Sequence, residues 1–485
     1  MKQTEKYGAI ASGHDLTSQA GIDMLAYGGN AFDAAIAASF MACVCEPILA
    51  SPGGGGFANI HTPSENYILD FFAQTPLKKN PNEIDFRAIQ ADFGTTTQTF
   101  HIGAASAATP GFIPGLLNLY KTHASLPLTT LVTPAIIAAN NGVTVNEFQY
   151  FLSTVVEPIL RDSPQSQEIF APSGHLIKAG EQFKNPALGN FFSEIKNRGI
   201  DAFPTNTIAQ AQNKTGHLTK KDIETYQPIM RQPKVFHLDE NQILLNPLPA
   251  ASGVLIALAF QQLQSTTNPT SLDIAQALSF SDTTRTTMNS DLTALKSLLN
   301  PSAHRGTTHI SVVDKNHNAC AITLSNGEGN GHIVDDCGFM LNNMLGETDV
   351  NPDGKRGWRE NIRLSSMMCP TIVSTPDDRL LVLGSGGSNR IRSAIFQVLV
   401  HYLMQGQDAT SAINAPRLHP ENQHLDFEDP HNNNAMGQLQ KAFPDNRVWA
   451  NQNMFFGGTH LVGITPDGDF FGAGDARRNG SFKTC

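Results

Sequence analysis

The residues best placed to do chemistry lie in His304-Arg305-Gly306-Thr307-Thr308-His309-Ile310-Ser311-Val312-Val313-Asp314. Thr308, Ile310 and Val312 alternate with His309, Ser311 and Val313, the period of a β-strand. Polar Lys315–Asn318 makes a turn, and Ala319–Ser325 reads as the returning strand. Left intact, the Gly306-Thr307 bond is an ordinary loop entering a strand. Once cut, Thr307 becomes an N-terminal residue with hydroxyl and α-amine on adjacent carbons. An α-amine titrates near about 7.7–8, so it can take the proton of the neighbouring hydroxyl around neutral pH. A second candidate is Gly384-Ser385-Gly386-Gly387-Ser388, which opens an amphipathic helix at about Asn389–Met404. A strand–glycine turn–helix unit directs free backbone N–H groups at an anion. It does not fit a dinucleotide fingerprint, and beside an acyl-transferring nucleophile it fits an oxyanion hole.

Other chemistries find less support. Ser51-Pro52-Gly53-Gly54-Gly55-Gly56-Phe57 invites a phosphate-cradle reading, but no Lys-Ser/Thr follows, and tight backbone packing under a site is preferred. His309, His332, His401 and His460 show no metal-ligand spacing. Ser385 lacks a G-x-S-x-G elbow. Cys43 and Cys45, two apart on a helix, point to different faces and read as buried structural thiols. No organic cofactor and no metal are expected. A net charge of −10 and the absence of any basic run argue against nucleic-acid or anionic-membrane surfaces. The start lacks the apolar core of a signal peptide and the six cysteines are scattered, so a cytoplasmic protein is expected. The apolar run Ala34–Cys45 is too short to span a bilayer.

With 485 residues, only 16% of them charged, the chain can bury a large core and position such a site on layered elements. Thr17 or Ser18 is expected to cap a helix reaching Tyr27, stopped by Gly28-Gly29. Asn30 caps a second, Ala-rich helix over Ala31–Cys45, ended by Glu46-Pro47. Strands follow at Ala58–His61 and Tyr67–Phe72, then helices at Ile113–His123, Leu128–Asn141 and Asn146–Leu160. Strands at Val235–His237 and Gln242–Leu245 precede a helix over Val254–Gln264. The runs 265–270 and 300–305 read as exposed loops. Hairpins are expected at Thr371–Thr375 with Leu380–Gly384 and at Leu461–Thr465 with Asp469–Gly472.

Several blocks together resemble the γ-glutamyltranspeptidase (glutathione hydrolase) family of N-terminal-nucleophile hydrolases. They are Gly28–Ala35, Glu46-Pro47 with Gly53–Phe57, Pro110-Gly111 with Pro114-Gly115, Thr307–Asp314, Leu341–Asn343, Leu364–Met367, Gly386–Ser388 and Asn414–Arg417. The resemblance implies an α+β fold, a four-layer αββα sandwich, made from one precursor that cleaves itself into two associated chains. On this sequence the cut falls between Gly306 and Thr307, giving a large portion 1–306 and a small portion 307–485 intertwined in one unit that could assemble further into a homo-oligomer. It implies that Thr307 attacks an amide to form an acyl-enzyme, resolved by water or an amine or peptide acceptor. Gly386 and Gly387 match the oxyanion glycines, Ser325 the hydroxyl that supports the nucleophile, and Ser365 and Ser366 the serines that hold a substrate α-carboxylate. Glu347, with Asp349 a close rival, falls where the family holds the α-amine, and Asn326 is nearest to the family's asparagine.

The head-group pocket departs from the pattern. The family's arginine for the α-carboxylate belongs in an Asp-Phe-Arg-Glu-like motif, and Asp70-Phe71-Phe72-Ala73 puts Phe72 there. Losing a charge-assisted partner costs a bound carboxylate about 1.5–3 kcal/mol. Met344 replaces a glutamine, and 347–364 is shorter than in lid-bearing members, which favours bulkier substrates and hydrolysis. Three readings follow: cleavage or transfer of γ-glutamyl amides such as glutathione, an N-acyl amide (cephalosporin-type) acylase, and an unprocessed, non-catalytic scaffold.

Overall fold

The computed structural model describes residues 6–92, 97–287, 306–347, 350–351 and 354–485. Asp349 and the run 300–305 lie outside them. Two antiparallel sheets form the centre. The first has seven strands in the order Ser481–Thr484, Gly8–Ser12, Thr307–Asp314, Ala319–Ser325, Gly55–His61, Asn66–Phe71 and Ile229–Arg231. The second has six, in the order Phe470–Ala473, Gly458–Ile464, Leu380–Gly386, Thr371–Ser374, Asn241–Leu245 and Lys234–Leu238.

Side-chain alternation builds the layers. Ala9, Ala11, Val313, Ala319 and Ala321 of the first sheet meet Leu244, Ile372, Val382 and Val462 of the second. The opposite face of the first sheet, with Ile10, Ile310, Val312, Ile322 and Leu324, packs under the helices Asp15–Ala26, Ala31–Cys45, Phe112–His123 and Leu128–Asn141. The outer face of the second, with Ile243, Leu245, Val373, Leu381 and Leu383, is covered by helices Ser252–Leu263, Ser271–Thr287 and Arg390–Leu399. The result is the αββα sandwich expected from the resemblance. Among the described residues, no helix is long and apolar enough to cross a membrane.

The helix Ala31–Cys45 is buried on every side, as its uniformly apolar, small side chains require. Asn30 caps it in a capping box with Asp33. Three expectations change. The first helix is capped by His14, whose Nδ1 accepts from the Leu16 N–H at 3.1 Å, so Thr17 and Ser18 fall inside its first turns. The stretch 146–160 divides into Glu147–Val155 and Glu157–Leu160, because Pro158 removes a backbone donor. The helix after the glycine turn is α-helical over Arg390–Leu399 and continues as a π-turn over Val400–Met404. A hairpin of Arg87–Asp92 with Thr97–Ile102 was not anticipated.

Candidate active site

Thr307 begins a central strand and pairs in register with Ser325 on its neighbour. Thr307, His309, Ser311 and Val313 share the face turned to the second sheet, where Ser311 Oγ donates to the His460 carbonyl at 3.0 Å. Thr308 points the other way and donates to the Glu46 carboxylate at 2.8 Å.

The Gly306-Thr307 peptide is held at several atoms. Ser325 Oγ donates to the Gly306 carbonyl at 2.7 Å and lies 3.5 Å from Thr307 Oγ1. The Gly306 N–H donates to Glu328 Oε1 at 3.2 Å, and Arg478 Nη1 reaches the Thr307 carbonyl at 3.4 Å. A Cβ on Gly306 would stand 2.2 Å from the Gly327 carbonyl oxygen and 2.7 Å from that of Ile48. No larger residue fits without moving backbone.

Gly386 ends the Leu380–Gly386 strand so close to Thr307 that a Cβ there would lie 2.2 Å from the Thr307 carbonyl oxygen. Gly387 follows with φ +122°, a conformation that favours glycine, and the helix begins at Arg390. The glycine turn is therefore pressed against the backbone of Thr307. Behind it, Arg417 pairs with Asp475 at 2.6 Å, and Asp475 accepts from the Thr459 N–H at 2.9 Å on the adjoining strand. Through Asp475, Arg417 thus holds the strand whose Thr459 pairs with Ser385.

A small pocket opens at Thr307, lined by Phe72, Ser325, Met344, Glu347, Val350, Ser366, Met367, Met368, Ser388 and Ile391. The structure therefore brings together Thr307, Ser325, Phe72, Glu347 and Ser366. Ser365 stands beside the pocket, its hydroxyl donating to the Pro249 carbonyl at 2.9 Å. Asn326 does not reach this pocket: it is buried on the far side of Gly54, facing the space lined by Pro47, Ile48 and Glu328. Among the described residues, no group of three or more His, Cys, Asp or Glu could hold a metal ion.

Two charged residues beside Thr307 and Thr308 were not singled out as site residues from the sequence. Glu46 is fully buried, and burial pushes its carboxyl up to about 7 against the donated bonds of Thr308 and Thr17 and the attraction of Arg478. Arg478 is buried against the glycine turn, and burial lowers its guanidinium to about 10. Glu46 could have been marked by its place in the Glu46-Pro47 block. Arg478 could not, because 171 residues separate it from Thr307.

A family model described as Gamma-glutamyltranspeptidase matches residues 17–279 and 259–485. The chain is 27% identical to the glutathione hydrolase proenzyme of Escherichia coli K12, over 97% of this chain and 90% of that protein. It is 25% identical to the glutathione hydrolase proenzyme of Bacillus subtilis 168, over 98% of this chain and 91% of that one. The crystal structure of a cephalosporin acylase from Bacillus halodurans superposes with a TM-score of 0.83 over 100% of this chain and 97% of that chain, at 20% identity, a likeness of fold. With its model matched from the first helix to the last residue, the chain belongs to the γ-glutamyltranspeptidase family of N-terminal-nucleophile hydrolases.

Proposed function

We propose that the protein is a γ-glutamyltranspeptidase-like amidohydrolase that matures by cutting itself between Gly306 and Thr307 and then acts through an acyl-threonine. The observation that carries this reading is the grip on one peptide bond: its carbonyl accepts from Ser325 while the Thr307 hydroxyl lies beside the same serine.

In maturation, Thr307 Oγ attacks the Gly306 carbonyl carbon, polarised by the Ser325 hydroxyl. The C–N bond breaks, the Thr307 nitrogen takes the hydroxyl proton, and an ester joins Gly306 to Thr307 Oγ. Water hydrolyses the ester, leaving a Gly306 carboxylate and a free Thr307 amine. Glycine at 306 gives the hydroxyl unhindered access, and the fixed neighbours supply the orientation.

In turnover, the Thr307 α-amine takes the proton from Oγ as Oγ attacks the substrate amide carbon. In this reading the Gly386 and Gly387 N–H groups support the developing oxyanion. The C–N bond of the substrate breaks and the proton passes to the departing amine. Water, or an amine or peptide acceptor, attacks the acyl-threonine as the α-amine takes a proton from it; the ester C–O bond breaks and the α-amine passes that proton to Oγ. No step calls for a cofactor. The names of the relatives, both glutathione hydrolase proenzymes, support small γ-glutamyl amides such as glutathione as the substrate class.

A denaturing gel with N-terminal sequencing tests maturation, with two chains expected and the smaller beginning at Thr307. Release of an aniline from acyl anilides tests turnover. A protein that remains one continuous chain while soluble would sink the proposal.

A further inference from the structure

Two glycines of the strand Leu380–Gly386 face the Thr307–Asp314 strand across the gap between the sheets. Gly386 meets Thr307, as described above. Two residues back, Gly384 meets His309: a Cβ there would stand 2.3 Å from Cε1 and 2.5 Å from Nδ1 of the imidazole. On its own sheet Thr307 pairs with Ser325 and His309 with Thr323, so His309 is the next residue along the face that carries the proposed nucleophile.

The imidazole is fixed at both nitrogens, and the bonding settles its tautomer. The single Ser311 hydroxyl proton goes to the His460 carbonyl at 3.0 Å, so Ser311 Oγ accepts from His309 Nε2–H at 2.9 Å. Nδ1 is then the bare nitrogen and accepts from Thr323 Oγ1 at 2.8 Å. Burial keeps the ring neutral by pushing its titration well below the ordinary 6.5. Both nitrogens are taken by neighbours other than Thr307, so His309 does not serve as its base. His460, whose carbonyl ends this chain of bonds, pairs in register with Gly384. The ring is thus a spacer, bonded to its own sheet at Thr323 and Ser311 and tied through Ser311 to the strand beside Gly384.

We infer that His309 is a positioning residue for acyl transfer: its ring sets the distance between the Thr307 strand and the glycine turn at Gly386-Gly387. This role rests on the acyl-threonine reading above and adds a residue to it. Glycine at 384 lets the ring reach the backbone of the opposite strand, and close packing leaves that contact no slack. Gly384 and Gly386 belong to one strand, so a shift at the first is carried to the second. Self-cleavage, by contrast, draws its polarising donor from Ser325, which sits on the same sheet as Thr307. The spacing between the sheets therefore governs turnover and leaves self-cleavage largely unaffected.

Three variants test this: His309→Asn, Gly384→Ala and the two combined. Each is followed by self-cleavage on denaturing gels, by hydrolysis of γ-glutamyl and glutaryl p-nitroanilides, and by thermal unfolding. His309→Asn keeps an acceptor for Thr323 on a shorter side chain. Its kcat should fall about ten- to a hundredfold with KM within about twofold, the scale on which a misplacement of about 1 Å acts, while self-cleavage stays within about threefold of wild type. Gly384→Ala should lose at least as much kcat. Adding His309→Asn to it should recover kcat about tenfold, because the shorter side chain makes room for the new methyl. Equal losses of self-cleavage and turnover in His309→Asn, a rise in KM in place of the fall in kcat, or losses that simply multiply in the double variant overturn the inference. Should the wild-type chain stay uncut or inert, the acyl-threonine reading falls and thermal unfolding decides the spacing by itself. The double variant should then melt above Gly384→Ala, or fold where Gly384→Ala does not; a midpoint at or below that of Gly384→Ala overturns the inference.

Discussion

The Ser325 hydroxyl donates to the Gly306 carbonyl oxygen at 2.7 Å, one residue before the threonine that would attack that carbonyl. Ser325 Oγ in turn accepts the Gly327 N–H at 3.1 Å, which fixes the rotamer of Ser325 and aims its proton at Gly306. In the intact chain Ser325 thus polarises the bond that the proposed maturation cuts, and its Oγ lies 3.5 Å from the Thr307 hydroxyl.

Thr307→Ala should leave one uncut chain without anilide turnover, because both steps use the same oxygen. Thr307→Ser should still cut itself, and retains the group needed for acyl transfer. Gel analysis after purification separates the two outcomes; cutting in the alanine variant would remove Thr307 from its role.

Ser325→Ala takes away the donor to Gly306. Removing one preorganised donor to a developing oxyanion typically costs about 100–1000-fold. Self-cleavage followed over time should slow on that scale, while the fold and circular dichroism stay unchanged. An undiminished rate would assign the polarisation elsewhere.

Glu46 links stability to pH in a direction opposite to most carboxylates. Its ordinary value of 4.5 is raised to about 7 by burial, so the folded state holds a proton that the unfolded state has lost. Stability contributed by this proton is complete below pH 4.5 and is lost as pH rises to about 7, amounting to about 3 kcal/mol. Glu46→Gln should therefore gain stability over the wild type at pH 8 and lose that advantage at pH 4.5. Urea titrations at the two pH values give the difference; the reverse sign would show that Glu46 is ionised in the folded protein throughout.

His14 and His460 work on the acid side. Burial lowers each from 6.5 to about 4, with Arg478 and Arg417 adding to the effect at His460 and Asp475 opposing it. His460 Nδ1 accepts from the Asp475 N–H at 3.3 Å, a role that requires that nitrogen to be unprotonated. Both residues are neutral in the folded state, so stability is full above pH 6.5 and falls as pH drops toward about 4, by about 1.4 kcal/mol per pH unit per histidine. His460→Gln should lower that slope by one proton, read from urea midpoints between pH 6.5 and 4.

Asp33 holds the first helix layer together. Its carboxylate accepts from the Asn30 N–H at 2.8 Å, the Ser125 N–H at 3.0 Å and hydroxyl at 2.5 Å, and the Leu126 N–H at 3.1 Å. Asp33→Ala leaves several of these donors buried and unmatched, at about 3 kcal/mol of stability. Denaturant unfolding measures the loss, which should leave the ratio among acyl anilides unaltered.

Local patterning was legible in the chain itself. The alternation along Thr307–Asp314, the Asn30 cap and the glycine turn at 384–388 could be read locally, because strand period, capping and turn chemistry act between residues close in sequence, whereas the layered fold and the role of Thr307 were implied by the resemblance of the ordered blocks to the γ-glutamyltranspeptidase family. The hairpin of Arg87–Asp92 with Thr97–Ile102 was missed, since polar residues occupy much of both strands and its pairing is settled by what it packs against. Phe72 could be seen to replace a charged residue, but only the folded chain shows Arg363 held by Asp70 and Tyr226 behind it. Only sheet pairing brings Arg478 and Glu46 to either side of Thr307 and Thr308, and only burial there shifts their protonation. Charge and hydrogen-bond partners hundreds of residues apart leave no periodic trace in a sequence, whereas backbone propensity does, so the local elements could be read in advance, the fold and the nucleophile were implied by the resemblance, and the character of the pocket had to come from tertiary packing.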